Sequence, residues 1–389
     1  MVQRNKFALF PYDESNALAL APRAPVINSG ASMSSILILG ASYGSLLATR
    51  LAMAGHQVCL VCTPGTADLI NAQGTRVRFP VRGREQLVEV DSRRLPGSIR
   101  AAAPAGVQPA NFDLAVFAMQ ESQYGEQGVR QLMDRIARAG TPSLAIMNMP
   151  PLPYLRRIAG VDVASLEPCF TDARLWDAFD PDLVSLASPD PQAFRPAGEP
   201  KNVLQVGLPT NFKCAPFANE RHTALLRRLE ADIEAARYDV EGEALELPVK
   251  LKVHDSLFVP FAKWPMLMTG NYRCIGDDGV SPIANAVHDD IDLSRATYGW
   301  VVDLCQSLGA RPDDLVPFEK YAAAARSLQK PSSVARALAG GATRIERVDL
   351  LVQSIGRQKA TAHPAVDRVV GIVDGRLARN AAAMERQAA

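Results

Sequence analysis

The sequence predicts an α/β protein in which a doubly wound, largely parallel sheet is followed by an all-helical domain. Two observations predict this fold class. Strand-like apolar runs alternate with helix-like segments over the first part of the chain, whereas only helical patterns follow from about residue 251. We therefore expect a leader at 1–33, a sheet domain at 34–250 with an insertion around 150–250, and a helical domain at 251–389.

Composition narrows the classes of protein to consider. The 389 residues carry a formal net charge of +1, which gives no reason to expect nucleic acid or an anionic membrane as a partner. No run reaches the roughly 20 apolar residues that a membrane-spanning helix needs. The leader does not resemble a signal peptide, and we expect it to be disordered, or Met33 to be the true start. A cytoplasmic location with reduced cysteines is the simplest expectation.

The first clear element is Ser35–Leu39, a continuous apolar run that is typical of a strand buried on both faces and that ends at Gly40. A helix at 46–54 follows, with Gly55 as its C-terminal cap. A second strand is predicted at 57–62. Such a βαβ unit of about 30 residues is the usual frame of a Rossmann-type, dinucleotide-binding fold.

The remaining elements follow in chain order. Strands are predicted at 87–90, 114–118, 143–147 and 203–207, helices at 125–139 and 222–237, and a loop at 180–202, which is rich in Pro, Ser and Asp. In the last part of the chain, helices are predicted at 254–273, 284–307, 315–328, 331–339, 343–359 and 364–386. Cys59 and Cys62 have C-x-x-C spacing, but we interpret them as buried strand cysteines rather than redox or metal ligands.

The loop between the first strand and the first helix carries a glycine-rich pattern. Backbone N–H groups and the helix dipole at such a turn bind a pyrophosphate, and small residues let the backbone come close. Two of the three usual glycines are serines here, and serine can donate to phosphate. We predict that a dinucleotide binds to Gly40, Ser42, Tyr43, Gly44 and Ser45. The alternative is a turn with a purely structural role.

The end of the second strand bears on the choice of cofactor. An acidic residue there would bind the ribose hydroxyls of NAD, but this chain has Cys62-Thr63-Pro64. Its absence removes a repulsion against a 2′-phosphate. We therefore expect NADP, with NAD as the alternative, and include Thr63 among the cofactor contacts. Arg76 and Arg78 follow in sequence, but we interpret them as residues of a strand.

Three segments together resemble the ketopantoate reductase family, over most of 34–389. They are the opening unit at 40–61, Asn148 directly after a buried strand, and a helical part with Lys263 to Asn271 and, later, Pro331-Ser332-Ser333-Val334. The resemblance implies a helical domain like the C-terminal domain of 6-phosphogluconate dehydrogenase. It also implies NAD(P)H-dependent reduction of a small-molecule 2-oxo acid to a 2-hydroxy acid.

The resemblance assigns roles to particular residues. Asn148 and Asn271 would orient the substrate, and Ser333 would contact its carboxylate. Residues i and i+8 lie on one helix face, so Lys263 and Asn271 can both point into a cleft. The ammonium group of Lys263 would stabilise the charge that grows on the carbonyl oxygen and donate a proton to it. The alternative is a Lys263 that only covers the surface.

Several positions depart from the family pattern. A second Asn is replaced by Leu267, an Asp after the Ser by Ala337, and a cofactor-binding Lys by Gln120. The Glu of the closing helix aligns with Arg344, although Glu346 is two residues away. We therefore expect the family's fold and reaction type with a different substrate, and Arg344 suggests a more anionic one, such as a dicarboxylate.

Two other functions stay open. An opine-type dehydrogenase shares the two-domain plan but reduces an imine, and His254 or His288 would then serve as its catalytic histidine. A cofactor-binding protein without catalysis is the second alternative. We expect no metal site, since no histidine pair has a third ligand at suitable spacing. The long helices at 284–307 and 343–386 could support a homodimer.

Overall fold

The computed structural model describes residues 33–388, so the predicted leader, apart from Met33, lies outside the described residues. Within them the strands are β1 (Ser35–Leu39), β2 (Gln57–Val61), β3 (Arg76–Phe79), β4 (Val88–Asp91), β5 (Ser98–Ala102), β6 (Leu114–Phe117), β7 (Ser143–Ile146), β8 (Val184–Ser188), β9 (Gln192–Phe194), β10 (Val203–Leu208), β11 (Phe212–Cys214), β12 (Tyr238–Val240), β13 (Glu243–Leu245) and β14 (Leu251–Val253). The α-helices are α1 (Gly44–Met53), α2 (Pro64–Gln73), α3 (Gln127–Ala139), α4 (Leu152–Leu155), α5 (Glu220–Ala235), α6 (Lys263–Met266), α7 (Ile283–His288), α8 (Ile291–Ser307), α9 (Phe318–Ala325), α10 (Ser333–Ala339), α11 (Val348–Gln358) and α12 (Pro364–Ala388).

The main sheet has eight strands in the order β14-β11-β8-β7-β6-β1-β2-β5. All neighbours from β5 to β8 are parallel, whereas β11 is antiparallel to β8 and pairs in parallel with β14. The six strands from β5 to β8 have the order of a doubly wound dinucleotide-binding sheet, with the switch point between β1 and β6. The predicted fold class, a Rossmann-type sheet followed by helices, is confirmed.

Both faces of the central strands are buried, as the apolar run in β1 predicts. Alternate residues of a strand point to opposite faces of the sheet. Leu37 and Leu39 pack in one core with the helical part of the chain, whereas Ile36 and Ile38 pack in a second core with α1 and a smaller sheet. Helices and strands therefore cover the sheet on both sides, as its uninterrupted hydrophobicity requires.

The smaller sheet has four strands in the order β4-β3-β10-β9. It contains the strands predicted at 87–90 and 203–207, which the sequence pattern could not distinguish from strands of the main sheet. Arg78 lies on β3, as predicted, where it pairs with Glu89 and Glu199. The smaller sheet thus covers one face of the Rossmann-type unit.

The prediction of a loop over 180–202 is wrong. This segment contains β8, which pairs with β7 in the main sheet, and β9, which belongs to the smaller sheet. Serines and flanking prolines gave β8 the composition of a loop. Ser185 is nevertheless fully buried, and its hydroxyl donates to the carbonyl oxygen of Ala215 at 2.7 Å. A buried serine with a hydrogen-bond partner is compatible with a core strand.

The predicted helical boundaries also need correction. Residues 251–253 form β14, and helical structure begins only at Val259. The predicted helix at 284–307 is divided into α7 and α8. The one predicted at 343–359 begins at Val348, so Arg344 and Glu346 lie in the loop before α11. The division into two domains near residue 251 stays a prediction.

The helix that carries Lys263 is irregular. After α6, the segment Leu267–Asn271 forms a π-helical turn, whose hydrogen bonds reach one residue further than those of an α-helix. The Tyr321 hydroxyl donates to the Met266 carbonyl oxygen at 3.1 Å. A Cβ atom on Gly270 would lie 2.2 Å from that hydroxyl. Because a π turn rotates less per residue, the step from Lys263 to Asn271 comes close to two full turns, which favours one common side.

Substitution of Gly40 by alanine is expected to destabilise the fold through crowding at the switch point. Gly40 has φ of +105°, and an added Cβ would lie 2.6 Å from Met119 Cγ and 2.8 Å from the Ala118 oxygen. Gly55 is the matched control, because it has φ of +89° but no atom within 4 Å of the added Cβ. We expect Gly40→Ala to lower the free energy of unfolding by roughly 1–3 kcal/mol more than Gly55→Ala, measured by urea denaturation. Equal losses would contradict the crowding argument.

Candidate active site

At one edge of the main sheet lie a glycine and four polar residues, each of which follows a different strand. Gly40 follows β1, Thr63 follows β2, Gln120 follows β6, Asn148 follows β7 and Asp190 follows β8. The carboxyl ends of parallel strands meet at the same edge, and ligands of doubly wound sheets bind there beside the switch point. Four of these residues were predicted from the sequence, whereas Asp190 was missed because it lies in the supposed loop at 180–202.

The glycine loop has the geometry of a phosphate cradle. Gly40 adopts a positive φ and lies against Ala118 and Met119 at the end of β6. The backbone N–H groups of Ala41, Ser42 and Tyr43 have no acceptor among residues 33–388. Helix α1 begins directly afterwards without a side-chain cap. Unpaired N–H groups at a helix N-terminus fit an anionic diphosphate, so the cradle is compatible with a dinucleotide.

The serines of this loop differ in whether their hydroxyl groups are free to bind a ligand. Ser42 is exposed and its hydroxyl can donate to a ligand. The buried Ser45 hydroxyl already donates to the Ala41 carbonyl oxygen, so it closes the turn. A Cβ on Gly44 would lie 2.6 Å from Ile38 Cγ2, which explains the glycine at this position. The loop therefore offers one free hydroxyl rather than two.

Tyr43 points away from the cradle towards the chain that follows β8. Its hydroxyl donates to the Pro191 carbonyl oxygen at 2.7 Å, and its ring packs edge-on against Phe212. Burial raises the pKa of Tyr43 well above its ordinary value, and the carboxylate of Asp190 adds to this effect. The contact ties the glycine loop to the segment between β8 and β9.

Thr63 and Gln120 are both exposed at the sheet edge. Thr63 precedes α2, and its hydroxyl donates to Thr66 Oγ1 at 3.0 Å. Gln120 donates through its backbone N–H to Gln123 Oε1 at 3.1 Å. Their side chains lie on the two sides of β1, next to the loop that could hold a cofactor.

Arg195 lies near the end of β2, and the sequence reasoning missed it. Burial raises the pKa of the Cys62 thiol to about 11, although the nearby guanidinium of Arg195 acts in the opposite direction. Arg195 directly follows β9, is exposed and forms no ion pair within the described part of the chain. The cation therefore stands near the position where an acidic residue would select NAD.

Lys263 is held by an ion pair rather than exposed to bulk solvent. Its Nζ atom lies 3.1 Å from Asp190 Oδ1, and Lys213 Nζ lies 3.5 Å from Asp190 Oδ2. The side chains of Lys263 and Asp190 are only 19% and 17% exposed. Burial alone would raise the pKa of Asp190, but the two ammonium groups lower it below its ordinary value. The ion pair with Asp190 thus holds the Lys263 amine at the carboxyl edge of the sheet.

Asn148 lies next to the helix that carries Lys263. Trp264 Nε1 donates to the Asn148 carbonyl oxygen at 3.2 Å, and Asn148 Nδ2 donates to Glu346 Oε2 at 3.3 Å. The Asn148 Oδ1 atom is buried and has no partner among residues 33–388. A buried acceptor without a partner is costly, which favours a ligand that donates to it.

Glu346 joins the loop before α11 to the sheet edge, whereas Arg344 does not. Glu346 Oε1 accepts from the Glu121 N–H at 3.3 Å, and the Tyr272 hydroxyl donates to the Glu346 carbonyl oxygen. Burial raises the pKa of Glu346 to about 7, although the hydrogen bond from Asn148 acts against this. Arg344 is exposed and forms no ion pair within the described residues.

The remaining substrate candidates lie around Asn271. The Ser332 hydroxyl donates to the Asn271 carbonyl oxygen at 2.6 Å and caps α10 by accepting from the Ala335 N–H. Ser333, the residue singled out from the sequence, is exposed on the first turn of α10. The contact with Asn271 thus belongs to the neighbouring serine.

The histidines considered for an imine reductase lie elsewhere. His288 Nε2 is 2.9 Å from the Ala322 carbonyl oxygen, within the helical part of the chain. His254 lines a cleft of about 480 Å³ with Lys213 and Arg311. Within residues 33–388 there is no group of three or more His, Cys, Asp or Glu side chains that could hold a metal, and no helix is long and apolar enough to cross a membrane.

Comparison with solved structures finds the same fold in ketopantoate reductases. The chain is similar to the ketopantoate reductase of Ralstonia eutropha JMP134 (16% identity, TM-score 0.57, covering 89% of this chain and 99% of the other). It is also similar to 2-dehydropantoate 2-reductase of Methylococcus capsulatus (15%, 0.59, 89% and 97%) and to D-mandelate dehydrogenase bound to NADH and anilino(oxo)acetate (13%, 0.59, 89% and 99%). No family model and no curated protein sequence matches the chain. The predicted resemblance to ketopantoate reductases is therefore confirmed at the level of the fold.

Stability is expected to fall with pH because of Glu346. Its pKa is raised from 4.5 to about 7 in the folded protein, so its contribution to stability is complete below pH 4.5 and is lost as the pH rises to about 7. Relative to a Glu346→Gln variant, the wild type should lose up to about 3 kcal/mol between these pH values. Urea denaturation at half-unit pH intervals measures the difference.

Glu385→Gln is the control, since Glu385 is exposed near the end of α12. Its stability difference from the wild type should stay constant over the same pH range. If the Glu346→Gln difference is equally constant, Glu346 does not retain its proton in the folded protein.

Proposed function

We propose that the protein is an NAD(P)H-dependent oxidoreductase that reduces a 2-oxo acid to a 2-hydroxy acid. One observation carries the proposal: the Lys263 amine lies 3.1 Å from Asp190, and the adjacent Pro191 carbonyl accepts from Tyr43 of the glycine loop. Two consecutive residues, Asp190 and Pro191, thereby connect the proposed proton donor with the glycine loop that could bind a pyrophosphate. The fold shared with ketopantoate reductases and with an NADH-bound D-mandelate dehydrogenase supports the same reaction class.

The chemistry requires a hydride donor, a proton donor and a means of orienting the carbonyl. A bound nicotinamide supplies the hydride to the carbonyl carbon. Lys263 donates a proton to the oxygen and stabilises the negative charge that develops there. Asn148 and Asn271 would orient the substrate through their amide N–H groups, because a 2-oxo acid offers only acceptors. The unpaired Asn148 Oδ1 could accept from the amide group of a bound nicotinamide or from the hydroxyl group of the product. Glu346 fixes the Asn148 amide through its hydrogen bond.

The adenosine end of the site favours NADP over NAD. The exposed Arg195 guanidinium near Cys62 can pair with a 2′-phosphate, as arginine does with phosphate groups generally. Gly40 and Ser42 would hold the pyrophosphate, with Thr63 and Gln120 at the edges of the groove. The carboxylate that would select NAD is absent after β2.

The substrate is proposed to differ from ketopantoate. Leu267 is buried where the family has an Asn, and this loss removes an amide from the substrate contacts. Ser332 or Ser333 would contact the substrate carboxylate. Arg344 is exposed, so it could pair with a second carboxylate of the substrate. A dicarboxylate therefore stays the proposed class of substrate. An unchanged KM for the true substrate in Arg344→Glu would exclude that class.

Removal of the Lys263 amine should abolish most of the reductase activity. With a panel of 2-oxo acids and NADPH, Lys263→Ala is expected to lower kcat about 10²- to 10⁴-fold, because the proton donor is lost. NADPH absorbance measures the rate. Lys201→Ala is the control, since Lys201 is exposed before β10. Full activity of Lys263→Ala on the substrate that the wild type prefers would refute the proposed mechanism.

Cofactor preference tests the role of Arg195. Arg195→Ala should weaken NADPH binding about 10- to 100-fold while NADH binding changes little, because only NADPH carries the 2′-phosphate. Dissociation constants come from NADPH and NADH fluorescence and from calorimetry with 2′,5′-ADP. The exposed Arg82 supplies the control variant Arg82→Ala. Equal losses for both cofactors would show that Arg195 does not contact the 2′-phosphate.

A further inference from the structure

We propose that Asp190 is the positioning residue for Lys263: it fixes the ammonium group at the carboxyl edge of the sheet and keeps it in the proton-donating form. This inference rests on the proposed function, since it concerns the same amine. Asp190 follows β8 of the main sheet and is not among the residues to which the resemblance to ketopantoate reductases assigns a role. The residue thus adds to the proposed mechanism a group that the resemblance does not supply.

The backbone around Asp190 is restrained on both sides. It stands between Pro189 and Pro191, directly after β8. A proline fixes its own φ, and the residue that precedes a proline is confined to extended conformations. Pro191 is buried and its carbonyl oxygen accepts from Tyr43. The carboxylate is therefore presented from a stiff segment that is anchored to the glycine loop.

The charges around the carboxylate form a compact cluster from four elements. Lys263 on α6 and Lys213 on β11 lie against opposite oxygens of Asp190, at 3.1 and 3.5 Å. Tyr43, before α1, lies close enough for Asp190 to affect its pKa, and His254, after β14, is close enough to be affected by Lys213. Asp190 thus lies between two ammonium groups, which would repel each other without the carboxylate.

The ion pair with Asp190 leaves Lys263 able to donate a proton to the substrate. An ammonium group has three N–H donors, so one can bind Asp190 while another reaches the carbonyl oxygen of the substrate. As the hydride adds to the carbonyl carbon, the oxygen takes a proton from Lys263, and the product is the neutral alcohol. The amine then recovers a proton from water. Asp190 stays ionised throughout and promotes this last step by favouring the charged amine.

The test compares Asp190→Asn with the wild type in two ways. In steady-state kinetics, kcat should fall about 10- to 100-fold with less than a threefold change in KM, and the basic limb of the kcat profile should move about one pH unit or more to lower pH. Independently of activity, the lysines are ¹³C-methylated and titrated by NMR, with Lys263→Arg to assign the resonance. The sequence has only nine lysines, and the Lys263 resonance should titrate at lower pH in Asp190→Asn.

Three further variants make the outcome decisive. Asp190→Glu should restore most of the kcat and the pH profile, and Asp303→Asn, at an exposed position on α8, should change neither. Lys213→Met should move the Lys263 titration to higher pH, because it removes a like charge. This variant keeps the test valid if Asp190→Asn does not fold.

The results separate the two proposals. An unchanged Lys263 titration in both Asp190→Asn and Lys213→Met would overturn the role of Asp190, even if Lys263→Ala is inactive. Shifts in the expected directions with an active Lys263→Ala would instead refute Lys263 as the proton donor and, with it, the catalytic use of the ion pair. Shifts together with an inactive Lys263→Ala would support both.

Discussion

The packing of the helical part of the chain against one face of the sheet determines where the candidate catalytic residues lie. Phe261 and Trp264 stack at 4.2 Å with an interplanar angle of 10°, and both are almost fully buried. They belong to the same hydrophobic core as Leu37 and Leu39 of β1. Burial of such large aromatic surfaces supplies much of the driving force for this contact. Lys263, next to Trp264, is thereby set at the carboxyl edge of the sheet.

A polar connection supplements this apolar one. Glu346 accepts from Glu121 at the sheet edge, and its own backbone carbonyl accepts from Tyr272 of the helical part. Hydrogen bonds of this kind are directional, so they fix orientation where hydrophobic contact fixes only proximity. Asn148, bound to the same carboxylate, is held by both systems. Asn148, which would contact the substrate, is therefore held in place by Glu346 and Trp264.

The sequence predicted those parts of the fold whose signals are local. β1, its loop and α1 follow from an apolar run, a glycine pattern and a capping glycine within about 20 residues. β8 was missed because its serines and flanking prolines are typical of a loop, and the buried Ser185 finds its partner, Ala215, only in the folded chain. Asp190 and Arg195 were missed because nothing near them in sequence signals a ligand. The contacts of Ser332 with Asn271 and of Glu346 with Asn148 depend on the loops before α10 and α11, whose course cannot be read from composition. The roles of these residues stay predictions.

The stiff segment from Pro189 to Arg195 has a consequence for how the protein could diversify. Asp190 at its start pairs with the Lys263 amine, and Arg195 at its end lies near the end of β2. One short segment therefore contributes a residue at each end of the proposed binding groove. Exchange of this stretch between related scaffolds would transfer cofactor choice and acid strength together. Under the roles proposed for Asp190 and Arg195, the two traits would be inherited as one unit.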